Sequence, residues 1–412
     1  IDSFTPSLVT TSQIATIVVT PTYENDGVTC EGNPETFTIT VNPEAQVEPV
    51  TSQVLCVGES TDEIEFTTIN TDGTTTYTWT NDNPLIGLAA SGPDDATATT
   101  IPSFVVTNDT TNALVATIEV TPTYENNGVT CIGNPETFTI TVNPGAQVNP
   151  VASQEICPGE STDEIVFTTT NTDGTTTYAW TSDNTEFGLD ASGDGNIDSF
   201  TPSLVTTSQI ATIVVTPTYL NDGVTCEGNP ETFTITVNPE AQVEPIESQD
   251  LCAGNSTEEI VFTTINTDGT TTYAWTNDNP LIGLEASGPE DATATTIPSF
   301  VVTNDTTSAL VATIEVTPTY ENNGFTCVGD PETFTITVNP ESQVDPVVSQ
   351  VLCVGDSTDE IVFTTTNTDG TTTYAWTIDN TDIGEDLEAS GSGDIPSFVV
   401  TNDTTSALVA TI

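Results

Sequence analysis

TFTITVNPEAQVEPVTSQVLCVG, residues 36–58, holds the pattern that decides the fold, and close copies begin near Thr137, Thr232 and Thr333. In the copy at 137–142, Phe138, Ile140 and Val142 alternate with threonine, as on one face of a strand. NPEAQVEPV carries two prolines, which restrict bending. We therefore predict that TFTITV ends one domain, NPEAQVEPV is a short, semi-rigid linker, and SQVLC begins the next domain.

The same pattern sets the domain boundaries. The motif VNP ends at Pro43, Pro144, Pro239 and Pro340. We predict three complete repeats, 44–144, 145–239 and 240–340, preceded by the C-terminal part of a repeat (1–43) and followed by the N-terminal part of another (341–412). Units of about 100 residues are too long for solenoid repeats and fit independent domains. The pattern is that of a window in a longer array.

Short strands fill each repeat. In repeat 44–144 we predict strands at Gln53–Cys56, Glu63–Thr68, Thr74–Thr80 and Ser103–Val106, then in ALVATIEV and TFTITV. Asp72-Gly73 is a strong turn signal. No helical period appears. Six to eight short strands with one tryptophan on a central strand predict an all-β fold, a tandem array of immunoglobulin-like sandwiches.

The charge excludes several functions. The chain has 61 carboxylates and no Lys, Arg or His, for a net charge of −61. Without basic side chains it cannot neutralise phosphates, so we expect no nucleic-acid partner. No apolar stretch is long enough to insert into a membrane. Catalysis would have only carboxylates, hydroxyls and thiols, and any carboxylate pair would recur in every repeat, so we expect no enzyme.

The eight cysteines predict disulfides. Two per repeat in a chain without His or CxxC favour disulfides over a metal site. Pairing within repeats would join Cys56–Cys131, Cys157–Cys226 and Cys252–Cys327, leaving Cys30 and Cys353 to pair outside the segment. Pairing across the linker would instead join Cys30–Cys56 and Cys131–Cys157. We favour the first scheme, because one strand of about ten residues, roughly 30 Å, should separate the cysteines of the second.

Two side-chain types suggest binding sites. Acidic, glycine-rich loops offer hard oxygen ligands for Ca²⁺, the only cofactor considered, at Asp72, Asp94, Asp95 and Asp194. None has EF-hand spacing, and solvated turn residues are the simpler interpretation. The tryptophans would suit sugar stacking, but each lies on the inner face of a strand and is better assigned to the core; they are Trp79, Trp180, Trp275 and Trp376.

These residues also carry a family resemblance. SQVLCVGESTDEI, TTTYTWTNDNPLIGLAASG, IPSFVVTN, VATIEVTPTYENNGVTCIG and TFTITVNP resemble the PKD-like repeats of very large Bacteroidota surface proteins. The resemblance covers essentially the whole chain, although the WxFGDG element is absent, because TNDNP follows Trp79. It implies export by the type IX system and, in some relatives, service as the mobile adhesin of gliding cells.

The resemblance also implies a modification. Asp109-Thr110-Thr111 is similar to the O-glycosylation signal of that phylum, which recurs at Thr306, Thr404 and Ser357. A polar turn in a threonine-rich chain is the equally weighted alternative.

The functional prediction follows from charge, repeats and resemblance together. We predict an extracellular, cell-surface segment of a long acidic filament or stalk, used for adhesion and gliding motility. Its partners would be neighbouring repeats of the same chain, while other regions of the protein would bind surface glycans or substrata. Two alternatives remain open: a surface-layer or multi-chain fibre protein, and a repeat module that binds glycans or proteins.

Overall fold

The computed structural model describes residues 3–92, 99–288 and 295–412. The chain divides into two compact units: the first contains 1–154, 161–201 and 210–235, and the second contains 155–160, 202–209 and 236–412. The regular elements of the first two segments, 1–43 and 44–144, are β1 (Gln13–Val19), β2 (Thr22–Asn25), β3 (Val28–Glu31), β4 (Glu35–Val41), β5 (Gln53–Cys56), β6 (Ile64–Glu65), β7 (Thr74–Asn81), a 3-10 helix (Pro84–Ile86), β8 (Thr100–Ile101), β9 (Leu114–Asn126), β10 (Val129–Ile132) and β11 (Glu136–Asn143).

The remaining segments repeat this order. Segment 145–239 contains β12 (Gln154–Ile156), β13 (Thr175–Ser182), β14 (Ser192–Asp194), β15 (Gln209–Asn221), β16 (Val224–Glu227) and β17 (Glu231–Val237). Segments 240–340 and 341–412 contain β18 (Gln249–Cys252), β19 (Ile260–Val261), β20 (Thr270–Asn277), a 3-10 helix (Pro280–Ile282), β21 (Thr296–Ile297), β22 (Leu310–Asn322), β23 (Phe325–Val328), β24 (Glu332–Asn339), β25 (Ala375–Thr377), a 3-10 helix (Thr381–Ile383) and β26 (Ser390–Ser392).

Repeat 44–144 is a two-layer β-sandwich, which confirms the predicted fold class. In the larger sheet, β9 pairs antiparallel with β7 along one edge. Along its other edge, the first part of β9 pairs antiparallel with β11 and its last part with β10, and β5 pairs in parallel with β11. The small opposing layer is formed by β6 and β8. Repeat 240–340 has the same two sheets, and in segment 145–239 β15 likewise pairs with β13 and β16.

The alternating strands bury the predicted face. Ala116, Ile118 and Val120 of β9 are fully buried, and Phe138 and Ile140 of β11 pack with them. The branched and aromatic side chains fill the space between the layers, where each apolar group gains the free energy of leaving water. Binary pattern therefore fixes which face of each central strand is inside.

One strand prediction is wrong. Ser103–Val106 is not a strand; only Val105 forms a bridge, to Ser60. The segment still makes backbone hydrogen bonds to residues 58–61, but the Thr61 hydroxyl, and not a backbone carbonyl, accepts the Phe104 N–H at 3.2 Å. The predicted strand at 63–68 is also shorter than expected and is limited to β6.

The predicted linker folds onto its own repeat. Ala45 is 2% exposed, and the Gln46 N–H donates to the Asn70 side chain at 3.0 Å. The Glu48 N–H donates to the carbonyl of Thr67 at 2.9 Å. Residues 44–50 are therefore part of the sandwich, and the chain has little free length between repeats in these units.

Candidate functional site: the disulfide-bonded junctions

Two disulfides join cysteines of successive repeats. Cys56 is bonded to Cys226 and Cys157 to Cys327, with Cα atoms 5.5 Å and 5.6 Å apart. Both pairs have the same sequence separation, 170 residues. Each bond lies inside one compact unit, the first bond in the first unit and the second in the second.

The predicted pairing within repeats is therefore wrong for Cys56–Cys131, Cys157–Cys226 and Cys252–Cys327. The cause is the direction of β5. Because β5 runs parallel to β11, Cys56 lies opposite Asn143 at the end of the last strand. Cys131 lies opposite Tyr124, at the other end of β9. About ten residues of strand, roughly 33 Å, separate the two levels, far beyond the ~7 Å that a disulfide allows.

The pairing across the linker does not form either. Cys30, Cys131, Cys252 and Cys353 are free thiols. Cys30 and Cys131 lie on hairpin strands equivalent to those of Cys226 and Cys327, whereas Cys252 ends β18 as Cys56 ends β5. The prediction that Cys30 and Cys353 pair outside the segment remains a prediction.

One half of each bond lies in a capped turn. The Cys56 N–H donates to the Glu59 carboxylate at 2.8 Å, and the Glu59 N–H returns a hydrogen bond to the Cys56 carbonyl at 3.1 Å. Gly58, with φ +86°, supplies the left-handed position of this turn. Since Cys157 with Glu160 repeats the contact at 3.4 Å, the acidic residue has a defined role in orienting the cysteine.

The other half lies on a buried hairpin. Cys226 of β16 is opposite Tyr219 of β15, and the two side chains are 2% and 0% exposed. They pack with Ala146 and Cys56 in one cluster. Cys327 packs with Ala241, Tyr320 and Cys157 in the same way. We call the fully buried tyrosines opposite the hairpin cysteines the hairpin tyrosines; they are Tyr124, Tyr219 and Tyr320.

Hydrogen bonds accompany the disulfides at the junctions. Asn143, fully buried at the end of β11, donates to the Asn221 carbonyl at 3.2 Å and accepts from the Asn221 side chain at 2.9 Å. At the junction before repeat 44–144, the Ser12 hydroxyl lies 3.0 Å from the Tyr124 hydroxyl and accepts from Asn126 at 2.7 Å. Polar contacts thus join repeats 44–144 and 145–239 in addition to their disulfide, and they also join segment 1–43 to repeat 44–144, where no disulfide is formed.

Asp72, a predicted calcium ligand, belongs to such a junction. Its carboxylate accepts the Ser12 N–H at 3.0 Å. Although partial burial raises the pKa of Asp72, the hydrogen bonds from Ser12 and Tyr124 outweigh it and leave the pKa below the ordinary value. The equivalent Asp268 accepts the Ser208 N–H at 2.8 Å. The chain therefore supplies a hydrogen bond to Oδ2 of each carboxylate, while Oδ1 of Asp72 and of Asp268 is buried without a hydrogen-bond partner.

Burial raises the pKa of two of the hairpin tyrosines, Tyr320 and Tyr219. Desolvation, with the charge of Asp268 nearby, raises the pKa of Tyr320 to about 12. Desolvation, together with Asp173 and Asp222, also raises the pKa of Tyr219. These phenols stay neutral at physiological pH, as fits their place among apolar side chains.

The other calcium candidates gain no support. Asp194 is exposed at the end of β14, while Asp94 and Asp95 lie outside the described residues. Within 3–92, 99–288 and 295–412, no group of three or more His, Cys, Asp or Glu side chains is arranged to hold a metal ion. In the same ranges, no helix is long and apolar enough to cross a membrane.

The predicted glycosylation residues lie at the surface. Thr306, Thr404 and Ser357 are exposed and Thr110 is partly buried. The Thr110 hydroxyl lies 2.7 Å from the Asn108 side-chain oxygen and 2.9 Å from the Asn112 carbonyl, and Thr306 and Thr404 repeat this turn. The turn gives these residues a structural role, and their glycosylation remains a prediction.

The tryptophans pack as core residues. Trp79, Trp180 and Trp275 are each 7% exposed. A glycine on the neighbouring strand or turn lies against each indole: a Cβ built on Gly92 would come within 2.3 Å of Trp79 Nε1. Trp376 is partly buried, with Gly391 in the same relation. With 7% of their surface exposed, Trp79, Trp180 and Trp275 offer little area on which a sugar could stack.

Comparisons with known proteins find a domain family that one part of this chain matches. No curated protein matches it. Solved structures with similar folds include Drosophila N-cadherin EC1-4 (10% identity, 80% of this chain and 83% of that chain, TM-score 0.31) and mouse cadherin-23 EC22-24 (13%, 72% and 99%, TM-score 0.33). The human desmocollin-1 ectodomain matches at 12% identity over 92% of this chain and 78% of that chain, with a TM-score of 0.27. Residues 249–342 match the PKD-like domain model.

Proposed function

We propose that this chain is a load-bearing segment of an extracellular repeat protein, a stalk or filament that serves adhesion and gliding motility. The observation that carries the proposal is the junction: successive repeats are joined by a disulfide, by buried asparagine contacts and by an apolar hairpin cluster. A spacer needs such joints, because force or thermal bending acts first on the connections between domains.

The charge and the disulfides support an extracellular role. Structural disulfides persist in oxidising compartments and are rare in the cytosol. A charge of −61 without a single cation gives every repeat the same sign. Like charge suppresses association between nearly identical neighbours, which are otherwise prone to misassemble.

Electron microscopy of the native material tests the proposal. Sandwiches with strands of about ten residues should add roughly 35–45 Å per repeat, so single thin threads beaded at that spacing are expected. Antibodies against repeat 240–340 should label intact cells along such threads. Thick fibres with lateral contacts would instead favour a multi-chain fibre or surface layer. Labelling only after cells are opened would refute the extracellular role.

Gliding is tested separately. Cells of a strain that carries an in-frame deletion of these repeats should bind surfaces less well and lose directed movement along them. A deletion strain that glides normally while its threads are absent would overturn the motility part of the proposal.

A further inference from the structure

The two disulfide-closed loops overlap along the chain. The first loop runs from Cys56 to Cys226 and the second from Cys157 to Cys327, so residues 157–226 lie in both. A disulfide within one repeat would leave its neighbours unconstrained. Here each bond spans most of two repeats, and the covalent route between Cys56 and Cys327 no longer follows the chain.

We propose that the overlapping disulfides form a brace that limits how far the chain extends under tension. This inference rests on the load-bearing role proposed above. Between Cys56 and Cys327, 271 positions apart, the shortest covalent route crosses to Cys226, runs back to Cys157 and crosses again to Cys327. Only the 69 positions between Cys157 and Cys226 remain in that route.

The effect on maximum length is large. At about 3.5 Å per residue, 271 positions extend to about 950 Å, whereas 69 extend to about 240 Å. After complete unfolding of the sandwiches, the braced segment therefore reaches only about one quarter of the length that the unbraced chain would reach. Loss of tertiary structure therefore adds little to the length of the segment, because the covalent route itself is short.

The free cysteines occupy positions equivalent to those of the bonded cysteines. Cys252 ends β18 as Cys56 ends β5, and Cys131 faces Tyr124 as Cys226 faces Tyr219. Wherever further repeats of this spacing flank the segment, the cysteines 170 positions away would complete these bonds. Each new bond forms as two thiols give up two protons and two electrons to a disulfide-bearing oxidant. The brace would then continue from junction to junction.

Force spectroscopy on the whole chain tests the brace. The 412-residue protein, produced under oxidising conditions, is held between peptide tags fused to its two ends and stretched until every repeat has unfolded. Without reductant, the segment between Cys56 and Cys327 should extend no further than about 240 Å, and after reduction it should reach about 950 Å. Full extension to the longer value without reductant would overturn the proposal.

Cysteine variants make the test quantitative. Removing one bond with Cys56→Ala and Cys226→Ala leaves a shortest route of 101 positions, along the chain from Cys56 to Cys157, so the limit should rise to about 350 Å. Cys157→Ala with Cys327→Ala should give the same limit, through the 101 positions from Cys226 to Cys327. Because the limit concerns the unfolded chain, loss of folded stability in these variants does not mask the result.

A matched control separates the brace from pairing within repeats. Cys131→Ala with Cys252→Ala removes two free thiols, so the limit should stay near 240 Å. If pairing occurred within repeats, this variant would keep only Cys157–Cys226 and extend to about 700 Å. That outcome would refute the brace. A braced chain whose native material proves to be a laterally packed fibre would keep the brace and refute the load-bearing role.

Discussion

A glycine-to-alanine substitution at Gly329 tests whether the folded linker is held by the hairpin. Gly329 follows β23, and its N–H donates to the Pro318 carbonyl at 3.0 Å. A Cβ at this position would lie 1.8 Å from the carbonyl oxygen of Ala241 and 2.6 Å from its carbonyl carbon. Gly133 and Gly228 meet Ala45 and Ala146 in the same way, at 1.8 Å and 1.9 Å.

The magnitude follows from what must move. An ordinary contact would need a shift of about 1.5 Å in the linker or the hairpin, and Ala241 is 1% exposed against Tyr320 and Cys327. Overpacking in a close-packed site costs about 1–3 kcal/mol or more. Because both partners here are backbone, we expect Gly329→Ala to destabilise the hairpin by about 3 kcal/mol, or roughly a hundredfold in the opening equilibrium.

Hydrogen exchange read by mass spectrometry measures this effect locally. Amides of β22 and β23 should exchange about a hundredfold faster in Gly329→Ala, while those of β9 and β10 should not change. The matched control is Gly324→Ala, where φ is +86° and no atom lies within 4 Å, so only the cost of a left-handed alanine, about 1 kcal/mol, applies. Equal or smaller acceleration in Gly329→Ala than in this control would refute the reasoning.

Three further predictions concern the junction and the charge. Tyr124→Phe removes the hydroxyl 3.0 Å from Ser12 and should cost about 1 kcal/mol in urea unfolding; no loss would mean the contact is not formed. The pKa of Tyr320 is raised to about 12 from 10.0, so between these pH values the folded state holds a proton that the unfolded state releases. The contribution of Tyr320 to the free energy of unfolding should therefore be fully present below pH 10 and be lost as pH rises through 12. Circular dichroism should show this fall, and Tyr320→Phe should lessen it. Finally, scattering should give a smaller radius of gyration as salt rises from about 0.01 M to 0.5 M, since screening shortens the Debye length from about 30 Å to a few ångströms; an unchanged profile would contradict charge-driven extension.

The sequence alone determined the local structure. Strict alternation in ALVATIEV and TFTITV leaves one apolar face per strand, and a strand must bury that face. Asp72-Gly73 and Asn127-Gly128 set turns because glycine accepts positive φ, +67° and +76° here. Fold class, tryptophan burial and the repeat pattern follow from such short-range features, which is why they needed no knowledge of how the strands pair.

Cysteine pairing was decided only by the tertiary structure. Whether Cys56 lies near Cys131 or about 33 Å from it depends on the direction in which β5 joins the sheet, and it joins β11 in parallel. Nothing in the alternation of QVLC distinguishes a parallel from an antiparallel partner, because the same side chains face the core in both. The packing of Ala45 beneath Gly133 is equally non-local, so a segment with two prolines looked like a linker. The strands were fixed by neighbours along the chain, and the junctions by contacts between residues as many as 170 positions apart.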